Sequence, residues 1–476
     1  MQVKSMPLDQ YLRPHTGVEF LASRVVFNEY HRSPLGIKKR PEWLQYTMNI
    51  ILLNLYKAWS INPDMTVGIM RKKSYWDGKN KSYVNPRLSY RNIVNSLDYL
   101  KASDWLIEVQ KGQQGFYGNH GISTRYRASS KLLDLFLESP IENIQLTYDN
   151  EKPSVILRGK KPKKTKANPN PRGKLIEYDV DKNISSMMAK AKLINFELWR
   201  TYIGLYLTHD EAKVLHKKMG QTEAMGLHQE RKFLTRIFNE NFESGGRFFG
   251  GFWQEIPKEY RSRLTIGNCM VTEQDYSSIH FSILYKKEGK ESAQADPYDI
   301  GLAHRSINKL AMNIMLNSKS FEECLSACRK SSKILMKHIS CKTMTEYLKS
   351  IEKTHHPIKK YFYTGEGIRL QKIESDIAED IMFNLIKNHG VVCLPVHDSF
   401  VIARRHLGLL IEQMNKSSVK ILKMKLYSSP PRPEDRLLTP DLNKNKTNYY
   451  VHQRTWMDAM YGKDYFDDYD MEVEVY

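Results

Sequence analysis

The chain has 476 residues, 41% of them hydrophobic and 11% aromatic, a globular composition sufficient for about two or three cored domains without disulfide or metal staples. Lysine and arginine outnumber aspartate and glutamate by 73 to 53, giving a formal charge of +20. A phosphate polyanion is therefore the first partner to consider, against the plainer reading of a basic protein with no such partner. No apolar run reaches transmembrane length and the N-terminus lacks a signal-type apolar core, so a soluble cytoplasmic protein with no membrane partner is expected.

In chain order, residues 1–39 read as an N-terminal arm. The stretch EWLQYTMNIILLNLYKAW, from Pro41 to about Pro63, has helical apolar spacing, as does LSYRNIVNSLDYLKASDWL, from Leu88 to Leu106. LIEVQKG then reads as a strand, QQGFYGNHG as a glycine-rich loop, and ISTRYRAS as the returning strand. Helix, strand, glycine-rich loop and strand over residues 40–135 resemble a winged helix, within a domain bounded at 40–157. That resemblance implies DNA contact, with Arg91, Lys101, Lys111, Arg125 and Arg127 supplying phosphate contacts. Winged helices also serve as protein-docking modules and as scaffolding.

RGKKPKKTKANPNPRGK, residues 158–174, is basic and proline-rich with almost nothing to bury, so it is expected to be a flexible linker or loop. It serves either as an electrostatic tether for nucleic acid or as a solubilising connector. Residues 180–240 are expected to be wholly helical.

The five cysteines, Cys269, Cys324, Cys328, Cys341 and Cys393, are odd in number and thinly spread, which reads as reduced thiols. Cys324, Cys328, His338 and Cys341 raise the question of zinc. Without a C-x-x-C knuckle, and with the first two one helical turn apart, ordinary core packing explains them and no zinc is expected.

VTEQDYSSIHFSILY places a strand ending at Asp275, with Ser277 and Ser278 suited to a helix N-terminus. HGVVCLPVHDSFVIARR gives two apolar strands around His397-Asp398-Ser399, after a helix closed by Gly390. Taken singly, an Asp before Ser-Ser is usually a helix cap, and an Asp in a hairpin is usually turn chemistry. Taken together, two aspartates on neighbouring strand ends can clamp a pair of divalent ions about 4 Å apart.

The order of motifs resembles the palm and fingers of the polymerase I family (family A) and of the phage-type single-subunit RNA polymerases. DYSSIH, extended by HFS, resembles motif A, and VHDSF resembles motif C. Arg305 and Lys309, on a helix expected from about Asp299, match the R-x-x-x-K of the fingers helix that grips the triphosphate. GGRFFGGFWQEIP resembles the motif that touches the primer or product strand, carrying over Arg247 and Gln254. LQKIESDIAEDIMFNLI, containing Gln371 and Glu374, occupies the place of the palm helix before motif C.

The resemblance spans residues 180–476 and implies an α+β fold: a winged helix followed by a compact thumb-palm-fingers right hand. Its parts are a helical thumb-like region at 175–240 and a palm-and-fingers core at 241–476. It implies a template-dependent nucleotidyltransferase, with Asp275 and Asp398 as catalytic metal ligands together with Tyr276. It further implies two Mg²⁺ ions, with Mn²⁺ as an alternative, and as partners a DNA template, a primer or product strand bound by Arg247, Gln254, Gln371 and His397, and nucleoside triphosphates. Arg305, Lys309, His280 and Asn317 would bind the nucleotide.

The chain departs from the pattern where Asn317-Ser318 replaces the usual Tyr-Gly, and no proofreading exonuclease motifs are present. His280 stands where polymerase I-type enzymes carry a ribose-excluding glutamate. Its imidazole could exclude ribose or hydrogen-bond to it. Motif A leans towards a DNA product, and the His-Asp-Ser form of motif C towards RNA, since the DNA enzymes usually carry Glu where Ser399 stands. An RNA polymerase or primase, and a non-catalytic replication initiator or regulator with a degenerate palm, remain alternatives. The architecture suits a phage, plasmid or integrated element.

Overall fold

The computed structural model describes residues 5–426 and 428, except 15–18, 33–40, 78–80, 114–121, 140–145, 149–150, 163–170, 208–210, 212–213, 216–217, 219–229, 268 and 292–295. They form two units: the first lies within Met1–Thr235 and Phe249–Val271, the second within Arg236–Phe248 and Thr272–Arg432.

The first unit begins with β1 (Ser5–Pro7), β2 (Leu12–Pro14), α1 (Leu21–Arg32) and α2 (Pro41–Ile61). It continues with β3 (Thr66–Ile69), α3 (Lys73–Trp76), α4 (Tyr90–Ala102), β4 (Leu106–Gln110) and β5 (Thr124–Ala128). Leu44, Met48, Ile51, Leu52 and Leu55 bury α2 in the middle of the core, where Phe136 of α5 (Ser130–Glu138) is also fully enclosed. Ser89 starts α4 by accepting from the Asn92 amide at 3.2 Å, and Ser129 does the same for α5; such caps stabilise a helix by about 1 kcal/mol.

The sheet order is β1-β3-β5-β4, with β1 parallel to β3 and the other pairs antiparallel. Both helices and both strands expected from the sequence are present, in the succession helix, strand, short helix, helix, strand, strand. Most of the glycine-rich loop lies outside the described residues. β6 (Leu146–Tyr148) pairs with β2, and β7 (Val155–Arg158) leads into the basic stretch. The two ends of that stretch meet: Gly159 N donates to Lys174 O at 2.7 Å, and Arg158 to Gly173 O at 3.1 Å. The chain leaves and re-enters the same unit there, and residues 163–170 are outside the described set.

The expectation of a wholly helical 180–240 is corrected. Helix α6 (Lys182–Arg200) is followed by β8 (Ile203–Leu205) and later by β9 (Thr235–Asn239). Asp181 caps α6 by accepting from Ile184 N at 2.8 Å. The strand signal of β9 was hidden because a core position is held by a charged residue, Arg236, which is 0% exposed. Period-two reading recognises buried apolar residues, and a buried arginine breaks it.

In the second unit the long helix α12 (Gly367–His389) lies at the centre, buried along Leu370, Glu374, Ile377, Ala378 and Ile381, and ends at Gly390 with φ of 63°. β9 lies beside β10 (Asn241–Phe249), and Arg236 ties this hairpin to α12. Its Nε donates to Gly246 O at 3.0 Å, Nη1 to Glu379 at 2.7 Å, and Nη2 to Ser375 and Asp376 at 2.9 Å each. After α7 (Lys258–Arg261) and β11 (Leu264–Ile266) in the first unit come β12 (Cys269–Asp275) and α8 (Ile279–Lys287). Then follow α9 (Arg305–Asn317), α10 (Phe321–Lys330) and α11 (Met344–Thr354).

The helix expected from about Asp299 therefore starts at Arg305. Gly301, at φ of 70°, interrupts the chain before it, and His304 caps it. Cys324 and Cys328 are buried on α10. Past α12, the hairpin β13 (Cys393–Val396) and β14 (Ser399–Ala403) leads to α13 (Leu407–Leu422), joined to α12 where Ser417 donates to Asp380 at 2.8 Å. No described helix is long and apolar enough to cross a membrane.

Candidate active site

Strand β12 ends on Asp275, and β14 begins immediately after Asp398; the two strands are hydrogen-bonded neighbours. The Ser399 hydroxyl donates to Glu273 Oε1 at 2.7 Å, tying the strands next to both aspartates. Val396 pairs with Ser399, so His397 and Asp398 form a two-residue hairpin tip, with His397 at φ of 59°. A positive φ at the first tip position matches the strand twist. On the other strand, Ser278 adopts φ of 50° just before α8. Left-handed non-glycine residues cost about 1–3 kcal/mol and persist where their surroundings impose them. One of them, Ser278, lies three positions after Asp275, and the other, His397, immediately precedes Asp398.

Side chains from four other segments gather around Asp398. Burial raises its pKa and the Glu374 charge raises it further, while Lys309 and Arg247 pull it down. Glu374, 3% exposed, accepts from Arg247 Nε at 3.0 Å and Nη2 at 2.6 Å, and His280 Nε2 lies 3.0 Å from its Oε2. Burial alone would raise the Glu374 carboxyl, but the His280 hydrogen bond and the Arg247 guanidinium outweigh it and hold that carboxyl below its usual range. The paired glycines make this approach possible: Gly246, at φ of 77°, lies so close to α12 that a Cβ would come 2.9 Å from Ser375 Oγ.

On α9, Arg305 pairs with Asp296, and both Arg305 and Lys309 flank the buried ring of Tyr298, at 5.3 and 5.5 Å from its centroid. Asn308 fixes this platform by donating to Tyr298 O at 3.0 Å and Ala303 O at 2.9 Å while accepting from Tyr347 at 2.7 Å. Burial and the nearby Asp398 charge push the Tyr298 phenol up, so it stays protonated at neutral pH. Two cations on one helical turn thus stand beside the carboxylates.

Asp398, His280, Arg247 and Lys309 are brought together, with Arg305 alongside through Tyr298 and Asp275 on the adjoining strand end. Tyr276 is buried, with its hydroxyl donating to Met414 O at 2.7 Å and its backbone bridged to Ser428. Ser278 does not cap α8 with its side chain, contrary to the sequence expectation; it hydrogen-bonds with Tyr298. Gln371 is half-buried on α12 about one turn before Glu374, and His397 is exposed at the hairpin tip.

Asn317 is not brought to this cluster. It ends α9, roughly 12 Å along the axis from Lys309, and its carboxamide crowds Gly367, where a Cβ would meet it at 2.4 Å. Gln254 belongs to the first unit and accepts from Gly250 N at 3.0 Å. In that unit Arg91 and Lys111 are exposed and Arg125 is half-buried, whereas Lys101 pairs with Glu108 at 3.1 Å and Arg127 with Asp64 at 3.0 Å. Sequence reasoning missed Glu374, Tyr298 and Arg236 as organisers. The i, i+3 spacing of Gln371 and Glu374 on a buried helix was the available signal for the first.

Among the described residues, no group of three or more His, Cys, Asp or Glu side chains is arranged to hold a metal ion. Carboxylates on adjoining strand ends are the oxygen donors that a hard divalent cation prefers, and Asp275 and Asp398 are the residues that would hold one. The raised pKa of Asp398 fits the same chemistry, because a cation would relieve a half-buried carboxylate set beside Glu374.

No protein-family model matches the chain. No curated protein matches it either. Among solved structures, the POL domain of Pol1 from M. smegmatis, in complex with DNA primer-template and dNTP, is similar to this chain at 14% sequence identity and a TM-score of 0.29. The similarity covers 47% of this chain and 55% of that one, so the chain spans about half the length of that structure.

Proposed function

We propose that the second unit is the catalytic core of a DNA-directed nucleotidyltransferase that extends a 3′ hydroxyl with deoxynucleotides. The observation that carries this reading is the convergence on Asp398 of Arg247, Glu374 and Lys309, from three separate segments, with His280 bound to Glu374. A structural salt bridge needs two partners. This cluster instead sets a carboxylate of raised pKa beside two cations, an arrangement found where groups do chemistry.

In this reading Asp275 and Asp398 would hold two Mg²⁺ ions, which lower the pKa of the attacking hydroxyl and neutralise charge on the leaving group. The chain's own part is positional. Lys309 and Arg305 grip the triphosphate from one helical face, and Arg247 orients the primer end. The first unit, through Arg91, Lys111 and Arg125 of the winged-helix-like region, holds duplex backbone.

His280 bears on the choice of sugar. Its ring is pinned to Glu374 and therefore presents fixed bulk instead of a freely turning donor, which favours exclusion of a ribose hydroxyl. His280→Gly is expected to raise ribonucleotide use relative to deoxynucleotide use by about 10-fold or more, the scale of discrimination by a small steric contact. Steady-state incorporation of both sugars by both proteins checks this, and an unchanged ratio removes His280 from sugar selection.

DNA affinity is expected to fall steeply with salt, by about 0.9 in log affinity per decade of salt for each phosphate neutralised. A flat response in a binding titration would remove the electrostatic role assigned to the +20 charge. The function itself is tested by extension of a labelled primer on a DNA template with magnesium, in deoxynucleotides and in ribonucleotides, with a parallel reaction lacking primer. Extension by deoxynucleotides is the expected result. The pairing of Arg247 with Glu374 and of Arg305 with Asp296 favours a second reading, a DNA-binding regulator with a degenerate palm. That reading predicts DNA binding with no incorporation of either sugar.

A further inference from the structure

The first unit contains a cavity of about 420 Å³ that the catalytic reading does not use. This is within the range of small-ligand sites, about 300–1,000 Å³. One wall is a stripe of α6 in which Lys192, Phe196 and Trp199 share a helical face. The Phe196 and Trp199 rings lie 5.8 Å apart at 39°. The facing wall holds Tyr148 and Phe233, 6.3 Å apart and edge-on.

Aromatic rings are usually withdrawn into cores, yet Phe196 is 42% exposed at the cavity mouth. The Arg200 guanidinium lies 5.5 Å from its ring centroid, and Lys192 is exposed beside it. The inner polar groups are already engaged. Glu230 is paired with Lys57 at 2.7 Å, and Asn195 is bonded to both backbone groups of Leu234. Lys232, whose amine burial pushes down to about 7, donates to the last carbonyls of α6 at Trp199 and Thr201. The interior is thus aromatic with buried charge in it, Lys232 in the lining and Lys152 lying 3.2 Å from the Tyr148 ring centroid, while Lys192, Arg200 and Glu151 are exposed.

We infer that this cavity receives an unpaired nucleobase, stacked on Phe196 and Trp199, with Lys192 and Arg200 on the adjoining phosphates. Every base has a π face and every nucleotide a phosphate, so aromatic platforms bordered by lysine and arginine bind single strands with little sequence preference. The inference rests on nucleic acid being the partner, and not on the nucleotidyl-transfer chemistry of the second unit. A single-stranded stretch of template or product supplies such a base; a free nucleotide has the same chemistry.

The test uses the full-length protein and a thymidine oligomer carrying one 2-aminopurine, without magnesium or triphosphates, followed by fluorescence quenching and by anisotropy of an end label. The wild type is expected to quench the base. Phe196→Ala and Trp199→Leu are expected to lose the quench and to weaken single-strand affinity about 5- to 100-fold, with duplex affinity unchanged. Lys192→Ala should weaken binding and lower the salt slope by about 1.

Because Phe196 is 42% exposed and lies outside the buried core, its truncation leaves the core intact. Asp398→Asn should keep the full quench, which separates this result from any outcome of the extension assay. Titration with 2-aminopurine nucleoside monophosphate distinguishes the sources: quenching by the monophosphate assigns a free-nucleotide site, and quenching only within the oligomer assigns a strand site. Wild-type quench and affinity in both aromatic variants would overturn the inference.

Discussion

Asparagine at position 398 is expected to lower nucleotide incorporation by about a thousandfold, equivalent to about 4 kcal/mol of lost transition-state stabilisation, while leaving the protein at least as stable as the wild type at neutral pH. The stability half follows from the direction of the Asp398 shift. Burial and the Glu374 charge raise its pKa above the ordinary value of 3.8, so the folded state binds more protons than the unfolded state just above that value. Stability is therefore full below the ordinary pKa and is lost as pH rises through the raised one. A neutral amide at the hairpin tip avoids that loss. Thermal melts of wild type and Asp398→Asn at pH 4 and pH 7 check the sign: the variant's advantage should be larger at pH 7. An advantage that shrinks on going to pH 7 contradicts the account of Asp398 as a group held against its preferred charge state.

The second large effect concerns Arg236, which joins the β9–β10 hairpin to Glu379, Ser375 and Asp376 of α12 while being 0% exposed. Arg236→Met keeps the volume but withdraws the cation from buried carboxylates, at an expected cost of about 3–5 kcal/mol. That is a large part of the roughly 5–15 kcal/mol that holds a domain folded. Urea denaturation measures it. The double variant Arg236→Met with Glu379→Met should recover much of the loss, because an apolar pair of similar volume can replace a buried ion pair at little cost. A single-variant loss under about 1 kcal/mol would mean that the hairpin is held by its backbone and rings instead. The same guanidinium holds the Gly246 carbonyl, next to Arg247, so loss of Arg236 is also expected to disturb the reach of Arg247 to Glu374.

The parts legible in the sequence were those governed by local chemistry. The apolar period of α2, the helix of α4, the hairpin that presents Asp398 and the Gly390 stop after α12 all follow from side-chain spacing and turn residues. The misread parts were governed by long-range pairing. A buried arginine concealed β9, and Gly301 with a His304 cap moved the start of α9 to Arg305. For the site, sequence motifs named His280, Arg247, Lys309 and Asp398 separately. Glu374, which touches Arg247 and His280 and bears on Asp398, was named on its helix but given no role, because its partners come from distant segments of the chain. Tyr298 lies outside every motif, and its place under Arg305 and Lys309 comes from Asn308, a tertiary contact with no local signature.

The central claim, that Asp275 and Asp398 together run nucleotidyl transfer, is tested most directly by single-nucleotide incorporation with magnesium. Wild type, Asp275→Asn and Asp398→Asn are compared on one primer-template, with DNA affinity measured in the same buffer. The account predicts incorporation by the wild type, its loss in both variants and unchanged DNA affinity in all three. Incorporation that survives either substitution, or a wild type that binds DNA and incorporates neither sugar, would contradict it.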